Sequence, residues 1–252
     1  MMDYPLLVFA VSVVGLWLSA NIGYSQRRRS AHMAEPVLEH LGGVLGAGLT
    51  LLALIIGFSF SMAVSRYDQR KNYEEAEANA IGTEFARAGL LPPESASKVR
   101  ELLRAYTDER VLFYTTRSAS QLDQINASTA RLQDNMWSAV QVAGTAQPTP
   151  MMALVVAGMN DVLNSQGYTQ AAWWNRIPAA AWALMAAIAI FCTWLLGYNC
   201  KPAEHERRWF FLLPVLVSIS FFLIADLDSP RRGVIRVSPQ NLLSLAGSLR
   251  TP

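Results

Sequence analysis

Four runs of apolar residues have the length of about 20 that a helix needs to cross a bilayer. They cover Pro5 to about Tyr24, Leu41 to about Val64, Ile177 to about Tyr198, and Trp209 to Ala225. The last is the shortest and is dense in Phe and Leu. Between the second and third runs the pattern changes. From Ser65 to Arg176 the chain is polar, and apolar positions return at three-four spacing, the period of a helix with one buried face. Val99, Leu102, Leu103, Tyr106 and Phe113 follow it, with Arg110 in the same register. So do Leu122, Ile125, Leu132 and Met136, and later Met152, Val155, Met159 and Val162. No alternation of strand type occurs.

Punctuation sets the boundaries. GLLPPES ends one insert helix and GTAQPTP separates two others, with Thr149 as an N-cap and Pro150 at the first helical position. The first insert helix continues the second apolar run, because nothing stops it before Gly89. After Gly233 come VIRVS and a short amphipathic helix, with Ser238 as N-cap and Pro239 at its first position.

These elements predict an all-α membrane protein with four transmembrane helices, arranged as two hairpins flanking a helical extramembrane domain. The boundaries fall at 1–64 for the first hairpin, 65–176 for the domain, 177–226 for the second hairpin and 227–252 for an amphipathic tail. The first run carries only Asp3 before it and no positive n-region, so it reads as an uncleaved span. Sidedness follows from Lys and Arg in short loops. Arg27, Arg28 and Arg29, and Lys201, Arg207 and Arg208, favour both short loops inside and the insert outside. The basic residues Arg66, Arg70, Lys71, Arg176, Arg231, Arg232 and Arg236 on the other side weaken that contrast.

Composition agrees with lipid exposure: 52% of residues are hydrophobic and 16% charged, against about 25% charged in soluble domains. A net charge of +2 without a basic patch gives no nucleic-acid partner. Cys192 and Cys200 are eight residues apart, about 12 Å along a helix, too far for a disulfide. They read as free thiols. The chain has no GxxxxGK[ST], HExxH, CxxC or GxSxG, so no enzyme is expected, and no cofactor. His32, His40 and His205 lie in the short loops with Glu35, Glu39, Glu204 and Glu206, without tight ligand spacing, and read as exposed loop residues.

Three groups of residues carry candidate function. Gly43, Gly46, Thr50, Ala53 and Gly57 line one face of the second span at three-four steps. Such a face serves either close helix packing in lipid or the wall of a symmetric pore. Arg66, Asp68 and Arg70 at the end of the second span meet Asp226, Asp228, Arg231 and Arg232 at the end of the fourth, at one interfacial level. There the charges pair, or the aspartates form an acidic ring or a hard-cation site. Glu74, Glu77 and Glu84 share a face of the helix beyond the second span, and would line a polar vestibule if several subunits converged.

The stretches YEEAEANAIGTEFARAGLLP, RELLRAYTDERV and DLDSPRRGVIRVS resemble the bestrophin-like domain proteins of bacteria, over most of the chain. The resemblance to bestrophins themselves is more distant. They are pentameric anion channels with an apolar neck on the second span and a calcium-binding acidic cluster past the last spans. The resemblance implies an oligomeric pore lined by the second span, and an insert in the cytoplasm. DLDSP holds only two carboxylates where that acidic cluster would stand, and Phe58 and Phe60 point to different faces, so calcium gating and anion selectivity do not carry over. The expected function is ion conduction by a homo-oligomer in the bacterial inner membrane, with the lipid bilayer and a small ion as partners. The alternative is a non-conducting membrane sensor or scaffold whose helical insert binds a partner or ligand.

Overall fold

The computed structural model describes residues 4–29, 35–200 and 211–250, and the regular elements among them are all helical. They are α1 (Pro5–Arg29), α2 (Glu35–Arg87), α3 (Pro93–Thr115), α4 (Ala119–Ala146), α5 (Pro150–Trp174), α6 (Ala179–Asn199), α7 (Leu212–Asp228) and α8 (Gln240–Ser248). A 3-10 turn at Ala88–Leu90 follows α2. With nothing to stop it before Gly89, α2 runs 53 residues without a break, roughly 80 Å at 1.5 Å per residue.

The chain divides into two compact units. The first holds residues 1–66 and 176–235, the second 67–175 and 236–252. Among the described residues three stretches are long and apolar enough to cross a membrane: Pro5–Arg29, His40–Leu90 and Pro150–Asn199, the last of which contains α6. α7 has 17 residues, about 26 Å of helix, just short of the ~30 Å hydrocarbon core. Trp209, where the fourth apolar run begins, lies outside the described residues.

In the first unit α1 packs against α6 and α7. The closest approach of α1 and α6 is at two glycines. A Cβ on Gly23 would collide with the Trp194 carbonyl, and one on Gly197 with the Ala20 carbonyl. Bare backbone is what lets helices come this close in lipid, where association depends on packing. The Ser19 hydroxyl adds a hydrogen bond to the Ile190 carbonyl at 2.8 Å.

The second unit buries the three-four positions read from the sequence. Val99, Leu103, Tyr106 and Phe113 of α3 meet Ile125 and Met136 of α4 and Met152, Val155, Met159 and Val162 of α5. Each fully buried side chain of this size contributes about 1.5–3 kcal/mol. Thr149 caps α5, its hydroxyl accepting the Met152 amide at 3.2 Å. The start of α8 differs from the sequence expectation. Its N-cap is Pro239 and its first residue Gln240, with no local side-chain cap. The Leu242 amide is met instead by the Glu74 carboxylate of α2 at 2.9 Å. An anion from outside the segment thus does what Ser238 was expected to do.

Candidate functional site

The two sides of α2 have different surroundings. Leu52, Ser59, Ala63, Arg70, Glu74, Glu77, Ile81 and Glu84 are buried, at steps of three, four and seven that mark one face. Gly48 belongs to the packed side, where a Cβ would come 2.9 Å from Cys192 Sγ. Gly43, Gly46, Thr50, Ala53 and Gly57 occupy the opposite side and are exposed. At Gly43, Gly46 and Gly57 nothing lies within 4 Å of where a Cβ would stand. The Thr50 hydroxyl donates to the Gly46 carbonyl at 2.9 Å, so it needs no partner beyond its own helix. Almost none of the apolar part of this stretch is buried within the chain. Among the described residues, no helix packs on the small-residue face. The glycines that meet the backbone of another helix are Gly23 and Gly197, which sequence reasoning missed. Their one signal is that each stands alone before a tyrosine, in NIGYS and LLGYN.

The charges at the ends of α2 and α7 come together in part. Arg66 pairs with Asp228 at 3.5 Å. The Asp228 carboxylate also accepts the Ile177 amide at 3.1 and 3.2 Å, and its backbone carbonyl accepts from Arg176 at 2.8 Å. Asp226 takes backbone amides: Val234 N–H at 2.6 Å and Ile235 N–H at 2.8 Å, one to each oxygen. This closes the loop after α7. Gly233 is required there, because a Cβ would strike the Asp226 carbonyl. Both carboxylates are buried and held by N–H donors, the partners that satisfy a buried anion. Asp68 is exposed and Arg70 buried. Arg231 is half-buried, and the Arg232 guanidinium lies 4.2 Å over the Tyr4 ring.

Glu74, Glu77 and Glu84, expected on a vestibule wall, turn into the second unit and are 1%, 0% and 0% exposed. Each meets a different answer to its charge. Glu74 binds the start of α8, adding the Asn241 amide group at 2.6 Å. Glu77 pairs with the buried Arg110 guanidinium and accepts from Thr169 at 3.1 Å and Tyr114 at 3.4 Å. Burial pulls the Arg110 pKa down, but Glu77 and the Tyr106 and Tyr114 hydroxyls together outweigh it. Glu84 has no hydrogen-bond donor on either oxygen. Burial pushes its carboxyl up to about 8, with Arg87 opposing and Asp161 adding. It fits because residue 158 is glycine; a Cβ there would run into the Glu84 carboxylate and the Arg87 guanidinium.

Among the described residues no three His, Cys, Asp or Glu side chains gather as a metal site would need. His32, His205, Glu204 and Glu206 lie outside those residues. A groove of about 800 Å³ runs between α4 and α5, lined by Trp137, Val140, Gly144, Met152, Val156 and Asn160 among others.

A helical chain with apolar helices long enough to cross a membrane before and after a helical unit in sequence defines a class of membrane protein. The family model for the Bestrophin-like domain matches residues 6–242, and the chain belongs to that family. Among solved structures, a Trp-to-Ala variant of a bacterial bestrophin homologue from Klebsiella pneumoniae is 14% identical, with a TM-score of 0.67 over 96% of this chain and 98% of that one. A Leu-to-Thr variant of the homologue is 15% identical, with a TM-score of 0.63 over 97% and 96%. A structure described as a membrane protein with a Pro-to-Ala change is 15% identical, with a TM-score of 0.61 over 96% and 98%. At this identity the likeness is one of fold. No curated protein matches the sequence.

Proposed function

We infer that the chain is one subunit of a homo-oligomeric ion-conducting protein of the bacterial inner membrane. It crosses four times, with α1 and α2 as one hairpin and α6 and α7 as the other, and the small-residue face of α2 looks onto the axis. The observation that carries this reading is the empty side of α2. A transmembrane helix facing lipid gains from large apolar side chains, yet this face offers Gly43, Gly46, Thr50, Ala53 and Gly57 to whatever lies outside the chain. The same face continues beyond the span as Ser61, Asp68, Asn72, Glu75 and Asn79, all exposed. Small residues under a polar continuation suit a water-filled path, where bulk would block passage. Family membership supports a channel over an enzyme.

The test is a pair of variants, Thr50→Trp and Gly57→Trp, reconstituted in liposomes. Ion flux should vanish in both while the oligomer keeps its mass in native detergent. Unchanged flux in both removes α2 from the pore. The alternative, a non-conducting scaffold, is favoured by one feature, the apolar groove between α4 and α5. A monomer or simple dimer in mild detergent would decide for it.

A further inference from the structure

α1 and α6 touch most closely at Gly23 and Gly197 and leave a trough along the rest of their length. Two contiguous cavities of about 410 and 610 Å³ share Gly15 and Ile190. Together they extend from Val8 and Ala179 at one end to Ile22 and Trp194 at the other. Small residues keep the trough open. No atom lies within 4 Å of a Cβ built on Gly15, and α6 lines it with Ala183, Ala186 and Ala187. From Val8 to Ile22 the helix rises about 21 Å, more than the ~15 Å of one leaflet's hydrocarbon.

The lining is apolar apart from hydroxyls and the Trp182 indole N–H, which is buried and has no hydrogen-bond partner. Its two hydroxyls are already spent on carbonyls, Ser12 on Phe9 at 3.0 Å and Ser19 on Ile190 at 2.8 Å. The mouth is different. Phe191, Trp194 and Tyr198 stack in series, and the Trp194 indole donates to Gln26 at 3.0 Å. Aromatic residues of this kind sit at headgroup level. One turn further, α1 ends in Arg27, Arg28 and Arg29. Arg29 follows Ile22 by seven residues and Leu18 by eleven, so it stands in line with the trough. Among the described residues no carboxylate pairs with these three arginines, and Arg27 Nη1 is buried with no hydrogen-bond acceptor.

We propose that the α1/α6 trough is a binding site for an anionic phospholipid, with one acyl chain along Gly15 and the phosphate on Arg27–Arg29. Charge and level select the occupant. A hydrocarbon chain suits a lining that is apolar but for hydroxyls already bonded and one buried indole N–H, and a phosphate at the interface meets guanidinium groups that bind it in bidentate fashion. Three charges outweigh the half-charge of opposite sign that the C-terminus of α1 places there.

The experiment is native mass spectrometry of the full-length protein with added dioleoyl phosphatidylglycerol or dioleoyl phosphatidylcholine. The glycerol lipid should be retained over the choline lipid. Replacing Arg27, Arg28 and Arg29 by Gln should lower its retention about fivefold for each arginine neutralised. Gly15→Leu fills the trough, and should lower retention of phosphatidylglycerol with all three arginines intact. Inorganic phosphate in excess should displace no lipid. Equal retention of the two lipids, or full retention in Gly15→Leu, overturns the proposal. So does an oligomer that falls apart in Gly15→Leu with its lipid retained, since the trough would then be a subunit contact.

Discussion

The Glu77–Arg110 pair offers a sharp test of what holds the second unit together. Both side chains are 0% exposed. Arg110 also lies 4.3 Å over the Phe113 ring, in contact with the aromatic cluster of Phe113, Tyr114 and Trp173. Taking two charges out of water costs nearly as much as their attraction returns, so the pair as a whole adds little. Breaking it is another matter. Arg110→Met strands the Glu77 carboxylate with only the Thr169 and Tyr114 hydroxyls, and Glu77→Leu strands a guanidinium that already has one unpartnered nitrogen, Nη1. Each single change should cost about 3–5 kcal/mol. For a unit of this size roughly 3–4 °C of melting temperature follow each kcal/mol, so each variant should melt about 9–20 °C lower. The double variant Glu77→Leu/Arg110→Met leaves no charge behind and should recover most of that loss. Scanning fluorimetry of the purified protein in detergent reads all four forms. If each single change costs under about 1 kcal/mol, or the double costs the sum of the two, the pair is not the buried, coupled unit described.

Two further outcomes follow from the other carboxylates. Glu84 has its carboxyl raised from 4.5 to about 8, so between those values the folded chain keeps a proton that the unfolded chain has released. Stability should therefore fall as pH rises through that window and level off above it, by at most about 5 kcal/mol. Glu84→Gln should remove this contribution, gaining on wild type between about pH 5 and 8.5; a constant difference across that range sinks the assignment. Asp226→Asn keeps one acceptor but turns an amide group toward a backbone N–H, and should cost about 2–4 kcal/mol in melting experiments. Calcium should leave the melting temperature of both forms unchanged; a calcium-dependent rise that the Asn form lacks would make Asp226 a cation ligand.

Periodicity made the helices legible, but not what each face meets. The three-four positions of α3, α4 and α5 are core, because only one stripe of each helix is apolar and it has one place to go. α2 carries two interpretable stripes, and sequence spacing places residues on a common face without saying which way the face turns. Glu74, Glu77 and Glu84 share a face as the spacing indicated, and that face turns inward. The partners of Asp226 were out of reach for a different reason. They are the amides of Val234 and Ile235, and a backbone N–H has no letter in the sequence. Charge logic could only offer it arginines, and found one for Asp228. The Gly23–Gly197 contact joins residues in different spans, each an isolated glycine, so neither shows the motif that a seam on one helix shows.

The division of α2 into two faces assigns its residues to different measurements. Glu74, Glu77 and Glu84 each point into the second unit, onto the start of α8, onto a guanidinium and into a site whose burial raises the carboxyl pKa. None reaches the exposed side of α2, so changes there should move melting temperature and leave conductance alone. Asp68 and Glu75 lie on the exposed face in line with Thr50 and Gly57. They hold up no core, and their charges stay in solvent. If the free face of α2 lines the path, neutralising these two alters ion preference at unchanged stability, because a ring of like charges beside a pore acts through its field on passing ions and not through packing.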